Sequence, residues 1–267
     1  MEYLQSVILG IIQGVGEFLP ISSSGHLILV PWILDWDDKG LSFDVALHFG
    51  TLLSIVAYFF KDWLEIFKMA FFRQDNGDSD IKNGKYPKKA LWIIVIATIP
   101  GVLAGLFLEE MVEIIFRNPF LVAFNLIFWG AILYFSDVKA KGDHRLSDVT
   151  LKKAFAVGCA QALAIIPGTS RSGVTISMGL LCGLDRISAA KFSFLMLTPI
   201  VFGATVLKFE EIVSNFNLTL LTGIVVSAVS GYIAIKYLIK FLEKASYKIF
   251  FWYRLFLAIL IVVLYLF

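Results

Sequence analysis

The residues of this sequence best suited to chemistry fall in two short polar stretches. The first, residues 13–26, holds Gln13, Glu17, the successive serines Ser22, Ser23 and Ser24, and His26. The second, residues 161–175, centres on Arg171, flanked by Ser170 and Ser172, with Thr175 one helical turn on. Gln13 and Glu17 are four apart, so on a helix both face one way. A carboxylate there suits a divalent cation bound through oxygen, Mg²⁺ or Ca²⁺; for Gln13 a helix-packing hydrogen bond is an equal alternative. Ser23 sits three residues before His26, close enough for a hydroxyl–imidazole pair, the usual way to activate a serine. His26 is equally suited to act as base for water or as acid for a leaving group. The three serines precede Gly25, where a helix is expected to start, so one of them is expected to cap it while free N–H groups point at an anion. Arg171 is the side chain that grips phosphate bidentately, and Ser170, Ser172 and Thr175 extend an anion cradle around it. These are the parts of a site for phosphate chemistry. Glu17, Ser23, His26 and Arg171 are its candidate catalytic groups, with Gln13, Ser22, Ser24, Ser170, Ser172 and Thr175 binding the anion and Glu17 with Gln13 the candidate metal ligands.

The surrounding sequence is that of a membrane protein. Of 267 residues, 58% are hydrophobic and 16% charged, and the mean hydropathy is +0.82; soluble domains are about a quarter charged. Ionisable groups are costly in hydrocarbon, which makes both polar stretches functional candidates by default. A net charge of +2 gives no reason to expect a nucleic-acid partner. His, Cys and carboxylates nowhere take zinc-ligand spacing, and there is no P-loop. Cys159 and Cys182 lie in apolar segments and are expected as buried free thiols. The first apolar run contains Gln13 and Glu17 and lacks a basic leader, so no cleavable signal is expected.

Six apolar runs are long enough to cross a bilayer, which takes about 17–25 residues. They are 43–60, 90–108, 119–135, 192–208, 218–240 and 250–267. Four others are too short or too polar: 3–19 and 26–34, then 152–166 and 174–184. Each short pair is hinged at one polar stretch, where Pro20 or Pro167 and nearby glycines break the helix. We read each pair as a re-entrant helical hairpin, with ten full crossings as the alternative. Irregular backbone at membrane depth needs protein or a watery cavity around it.

Charge fits the hairpin layout. Basic residues collect in the expected loop 61–89 (Lys61, Lys68, Arg73, Lys82, Lys85, Lys88, Lys89), in the loop 136–153 (Lys139, Lys141, Arg145, Lys152, Lys153) and in the turn 241–249 (Lys244, Lys248). Glu109, Glu110, Glu113, Glu210 and Glu211 make the segments 109–118 and 209–217 acidic. Two hairpins and six spans put every basic segment on one side, expected to be cytoplasmic, and both termini outside. The expected architecture is an all-α integral membrane protein, one domain over 1–267 built from repeats at about 1–140 and 150–267. Each repeat is a hairpin followed by three spans, an odd number, so the two are inverted. Weak self-similarity agrees: at an offset of 148, Gly10, Gln13, Ser22, Ser24 and Gly25 fall on Gly158, Gln161, Ser170, Ser172 and Gly173. Inverted repeats hold their site near the midplane where broken helix ends meet, so the two tips are expected to touch. His48, with Asp44 nearby, is expected to make a structural or secondary polar contact. The small face Gly223, Ser227 and Gly231 serves either a contact within the chain or a homodimer.

The run Phe-Leu-Pro-Ile-Ser-Ser-Ser-Gly-His ending at His26, the Gln13-x-x-x-Glu17 pair and the stretch Pro167-Gly-Thr-Ser-Arg-Ser-Gly-Val-Thr175 together resemble the undecaprenyl-diphosphatase family, also called bacitracin-resistance proteins. The resemblance covers essentially the whole chain. It implies a phosphatase of the bacterial plasma (inner) membrane that converts C55-isoprenyl diphosphate to the monophosphate, recycling the lipid carrier of cell-wall synthesis. It further implies Mg²⁺ or Ca²⁺ as cofactor and an active site facing the outer, periplasmic side. Carried over by position, Glu17 and Gln13 serve metal or diphosphate, Ser23 and His26 lie at the reaction centre, and Arg171 with Ser170 and Thr175 holds phosphate. Many members have Glu where this chain has Gln13, which leaves the charged metal-ligand role to Glu17. Type-2 phosphatidate phosphatases share Ser-Gly-His and Ser-Arg motifs but need a histidine after the arginine; here the histidines are His26, His48 and His144. Whether Ser23 or a water activated by His26 attacks phosphorus stays open at this stage. The rival reading is a polyprenyl-phosphate transporter or flippase built on the same inverted repeat. A structural or assembly protein leaves both polar stretches without a role.

Overall fold

In the computed structural model, residues 2–72, 85–87, 89–114, 116 and 118–266 are described, and they contain α-helices and no β-strand. The helices are α1 (Glu2–Phe18), α2 (Ser23–Ile33), α3 (Gly40–Tyr58), α4 (Phe60–Phe71), α5 (Ala90–Ile114), α6 (Pro119–Lys139), α7 (Leu151–Ala162), α8 (Arg171–Leu181), α9 (Arg186–Leu207), α10 (Phe209–Ser214), α11 (Leu218–Leu242) and α12 (Lys248–Leu266). Six of them, α3, α5 through Leu108, α6, α9, α11 and α12, are long and apolar enough to cross a membrane. These are the six runs expected from hydropathy, with α9 starting earlier because Asp185 caps it through the Ser188 N–H at 2.8 Å. Arg73, Lys82 and Lys88, and the side chains of Glu109, Glu110 and Glu113, lie outside the described residues.

The segment after α3 departs from expectation. Its first part is not a loop but the amphipathic helix α4, which buries Trp63 and Ile66 and leaves Lys61 and Lys68 exposed. Asp62 on α4 accepts hydrogen bonds from Lys85 and Tyr86, pinning the helix beside the start of α5.

The short helices form two hairpins, α1–α2 and α7–α8. His144, ahead of α7, and Leu184, after α8, form a parallel bridge, so the second hairpin begins and ends at one place. Glu2 at the start of α1 and Lys39 just before α3 line one surface pocket, so the first hairpin does likewise. Packing exchanges partners between the chain's halves: α1 lies on α11 and α7 on α5, while α3 meets α9 and α6 meets α12.

Two glycines at the 148-residue offset permit the exchange. A Cβ on Gly10 would come within 2.7 Å of the Gly223 carbonyl oxygen, and one on Gly158 within 2.3 Å of the Ala97 carbonyl oxygen. Gly223, Ser227 and Gly231 are buried against α1 and α3, so that small-residue face is used within the chain. Cys159 and Cys182 are free, but neither is buried as expected: Cys159 is exposed and Cys182 partly exposed.

Where α6, α9 and α12 meet, Arg186 pairs with Asp137 at 2.6 Å, the Tyr247 N–H donates to Asp137 at 3.1 Å and the Tyr247 hydroxyl to the Arg186 carbonyl at 3.0 Å. These bonds clamp together the end of α6 and the starts of α9 and α12.

Candidate active site

The two hairpin tips have the same local construction. Ser22 and Ser170 both adopt left-handed backbone, with φ of 73° and 71°, a conformation that costs a non-glycine residue about 1–3 kcal/mol and persists only where its surroundings enforce it. Each hydroxyl caps the helix that follows, accepting from Gly25 N–H at 3.3 Å and Gly173 N–H at 3.1 Å. The helices they start, α2 and α8, are both 11 residues long. Their N-termini carry the positive end of the helix dipole, where an anion is favoured.

The tips meet. Ser172 donates to the Leu19 carbonyl at 3.3 Å, and Gly25 packs beside Gly168. Behind them lies Arg254 of α12, fully buried, which among the described residues donates to backbone carbonyls: Leu126 at 2.9 Å, Asn125 at 3.2 Å, Pro20 at 3.5 Å, Gly168 at 2.8 Å and Thr169 at 3.1 Å. One guanidinium therefore holds both tips against α6. Asn125 adds a bond from its amide to the Pro167 carbonyl at 3.1 Å.

Glu17 organises the chemistry. Its Oε1 accepts from Arg171 Nη2 at 2.9 Å and Nε at 3.3 Å. Its Oε2 accepts from Ser23 Oγ at 2.8 Å and Gln13 Nε2 at 3.0 Å, with His48 Nε2 at 3.2 Å. His48 Nδ1 faces the Asp44 carbonyl at 2.8 Å, so both ring nitrogens face acceptors. Arg171 Nη1 reaches the Ser193 carbonyl at 2.7 Å and its hydroxyl at 3.2 Å, and Thr175 bonds that hydroxyl at 2.7 Å. The carboxylate, 4% exposed, is thus neutralised by a guanidinium rather than left as a buried bare charge.

The expected Ser23–His26 pair is not formed. Ser23 starts α2 and gives its hydrogen to Glu17, whereas His26, one turn on, points the other way. Its Nδ1 donates to the Ser22 carbonyl at 2.7 Å and its Nε2 lies 2.7 Å from the Tyr253 hydroxyl on α12. The carboxylate thus takes the place expected for the imidazole. His48, expected to be secondary, stands in direct contact with Glu17.

A cavity of about 320 Å³ opens over this cluster, with Glu17, Ser23, His48, Ser170, Arg171 and Ser172 on its polar wall. Ser24 and Asp44 also line it, and apolar residues of α5 and α9 carry it outward from Val102 and Ile200 toward Leu106 and Leu207. Of the residues singled out in the sequence, Gln13, Ser22, His26 and Thr175 stand outside that wall. Gln13 backs Glu17, Ser22 caps α2, and Thr175 backs Arg171 through Ser193.

The donors bear on a divalent cation. Among the described residues no three His, Cys, Asp or Glu side chains cluster as a cation cage. Glu17 and Asp44 do line the cavity, and Gln13 Oε1, buried beside Glu17, has no hydrogen-bond partner among the described residues. One or two carboxylates with an amide oxygen fit Mg²⁺ when phosphate oxygens and water complete the shell.

The sequence pattern of bacitracin resistance protein BacA matches residues 6–260. The chain belongs to this family. Relatives named undecaprenyl-diphosphatase include one from Moorella thermoacetica, 46% identical over 98% of this chain and 97% of its own length. Another, from Pelotomaculum thermopropionicum, is 44% identical over 99% of this chain and 97% of its own. A third, from Caldicellulosiruptor bescii, is 45% identical over all of this chain and 98% of its own. With its six apolar helices, this BacA-family chain is a multi-pass membrane protein.

Arg254 and Ser193 are among the contributors to the candidate site that sequence reading misses. Arg254 had a signal, a cation inside an apolar span. Ser193 had none, since a lone serine inside a span is ordinary.

Proposed function

We propose that the chain is an undecaprenyl-diphosphatase: it hydrolyses undecaprenyl diphosphate to undecaprenyl phosphate and inorganic phosphate, recycling the cell-wall lipid carrier and so conferring bacitracin resistance. The observation that carries this reading is the Glu17 carboxylate, which holds the Ser23 hydroxyl and the Arg171 guanidinium together on the cavity wall. A hydroxyl bonded to a carboxylate has a proton acceptor in place, and an arginine beside it can take the phosphoryl oxygens.

On this reading the diphosphate enters between the N-termini of α2 and α8 and draws Arg171 from Glu17, exchanging one anionic partner for another. The Ser23 oxygen attacks the terminal phosphorus while its proton passes to Glu17. The bond to the bridging oxygen breaks, and the lipid monophosphate leaves. Water then releases phosphate from Ser23 and restores its hydroxyl. Positioning and charge neutralisation are most of what such transfer demands. A divalent cation, Mg²⁺ or Ca²⁺, held by Glu17 and Gln13 with Asp44 nearby, supplies further charge neutralisation on the phosphate oxygens when bound. Ser170 and Ser172 contribute hydroxyls from the second tip, and Ser24 from the first. His26, tied to Tyr253, orients the start of α2.

The apolar α5–α9 walls suit the isoprenoid chain. We further propose that both hairpins are re-entrant within an inverted repeat, that the basic side is cytoplasmic, and that the cavity faces the outer side of the plasma (inner) membrane. Carriage alone gives the Ser23–Glu17 pair no task. The test is phosphate release from C55-isoprenyl diphosphate by purified protein, with Mg²⁺ and with chelator, beside Arg171→Ala. Cation-dependent release lost in the variant supports the phosphatase; binding of the lipid with no release from folded wild type overturns it in favour of a carrier.

A further inference from the structure

Gln161 ends α7 at the foot of the second tip, on the cavity wall and 3% exposed. Both polar atoms of its amide, Nε2 and Oε1, are buried and without a hydrogen-bond partner among the described residues. Leaving such an amide unpaired costs free energy, and buried amides in native proteins are nearly always paired. Its counterpart at the 148-residue offset shows what is missing. Gln13 Nε2 donates to Glu17 four residues on, at 3.0 Å. Four residues after Gln161 stands Ile165, which offers no carboxylate. The second repeat therefore keeps the donor and lacks the acceptor.

Space is kept for that donor from across the cavity. Gly101 of α5 also lines the wall, and a Cβ there would lie 3.0 Å from Gln161 Nε2. The amide's two N–H groups share the cavity with Arg171 and the Ser170 and Ser172 hydroxyls, all donors to an anion.

We propose that Gln161 is a further substrate-binding residue, whose amide N–H groups donate to phosphate oxygens of the diphosphate. This rests on the phosphatase reading above and assigns the second hairpin a contact besides Arg171. The acceptor missing from the protein is then supplied by the ligand, and the unpaired amide is the cost of holding the site ready.

The test replaces Gln161 by Met, which conserves volume and removes the amide. Three quantities are read: melting temperature, KM and kcat for C55-isoprenyl diphosphate, and the melting shift given by a methylene-bridged diphosphonate analogue of the lipid. Since no described residue pairs with the amide, Gln161→Met is expected to melt at or above wild type, with KM up about tenfold, kcat changed less, and most of the analogue's melting shift lost. A purely structural residue gives the reverse: a lower melting temperature with KM and the analogue's shift as in wild type. Either unchanged KM or an unchanged shift overturns the proposal. Should Gln161→Met not fold, Gly101→Ala, which crowds the amide from the other side, is expected to raise KM, and a KM equal to wild type overturns the proposal equally. If wild type itself releases no phosphate, the phosphatase reading fails, while the analogue's melting shift still reports on Gln161.

Discussion

Ser23 gives its hydroxyl hydrogen to Glu17 across 2.8 Å, although a histidine stands three residues farther along the same helix. The reason is the cap. Ser22 takes left-handed backbone and closes the N-terminus of α2, which turns Ser23 toward α1 and the cavity and sends His26 toward α12. Ser23→Ala, which removes the attacking oxygen, is therefore expected to lower kcat by about 10⁴ or more, as loss of a nucleophile does. Tyr253→Phe, which removes only the hydroxyl on His26, is expected to cost less than tenfold. Steady-state phosphate release from the two variants in parallel checks this; equal losses would count against a Ser23–Glu17 reaction centre.

Glu17 accepts Arg171 on one oxygen and Ser23, Gln13 and His48 on the other. Glu17→Gln removes the charge but keeps the shape, leaving Arg171 as a buried cation without its anion. Breaking a buried pair from one side costs about 3–5 kcal/mol. The variant should melt well below wild type as well as lose at least about 100-fold in turnover. Double replacement with Arg171→Met should recover part of the stability and none of the activity. Thermal melts of both single variants and the double variant give the coupling directly.

Much of this arrangement is visible in the sequence, for identifiable reasons. Lipid demands long apolar runs, so the six spans stand out. The tips are legible because a charged, hydroxyl-rich stretch between short apolar runs is too costly in a membrane to persist without a task. The 148-residue offset relates two caps that prove to share one unusual backbone conformation. What the sequence hides is direction. Spacing brings Ser23 and His26 within reach, but only the angle at which α2 leaves Ser22 decides that the hydroxyl meets Glu17. Likewise α4 looks like a basic loop until Trp63 and Ile66 find a surface to cover. Partners distant in sequence, such as Ser193 beneath Arg171, leave no local trace.

Gln13 Oε1 is buried beside Glu17 with no partner among the described residues, while its Nε2 bonds the carboxylate. If that oxygen joins Glu17 on a divalent cation, Gln13→Leu should raise the Mg²⁺ concentration needed for half-maximal turnover by about tenfold while sparing the fold. Groups that only support a metal's ligands already give effects of about 10–100-fold, so a direct ligand should give at least this much. Gln13→Glu should shift the requirement the other way, since a second carboxylate strengthens a hard-cation site. Mg²⁺ titrations of activity after chelation measure both; the same half-saturation in all three proteins would remove Gln13 from the cation's surroundings.

Arg254 makes the most exacting prediction, because among the described residues no carboxylate pairs with it. Its guanidinium is fully buried and spends itself on carbonyls from both tips and from α6. Unwound tips leave carbonyls that no helix can satisfy, and one planar cation with five N–H donors answers several of them at once. Lysine brings a point charge and three donors without the fork, so Arg254→Lys keeps the charge but cannot span both tips. We expect Arg254→Lys to fold with a lowered melting temperature and to lose about 10²-fold in kcat, the scale of misplacing catalytic groups by about 1 Å. Arg254→Met, which strands the same carbonyls without any donor, should lose on the order of 3 kcal/mol or more of stability. The decisive readout is the split between the two. If charge alone matters, lysine rescues activity and methionine does not. If Arg254 holds the tips in register, both lose turnover together.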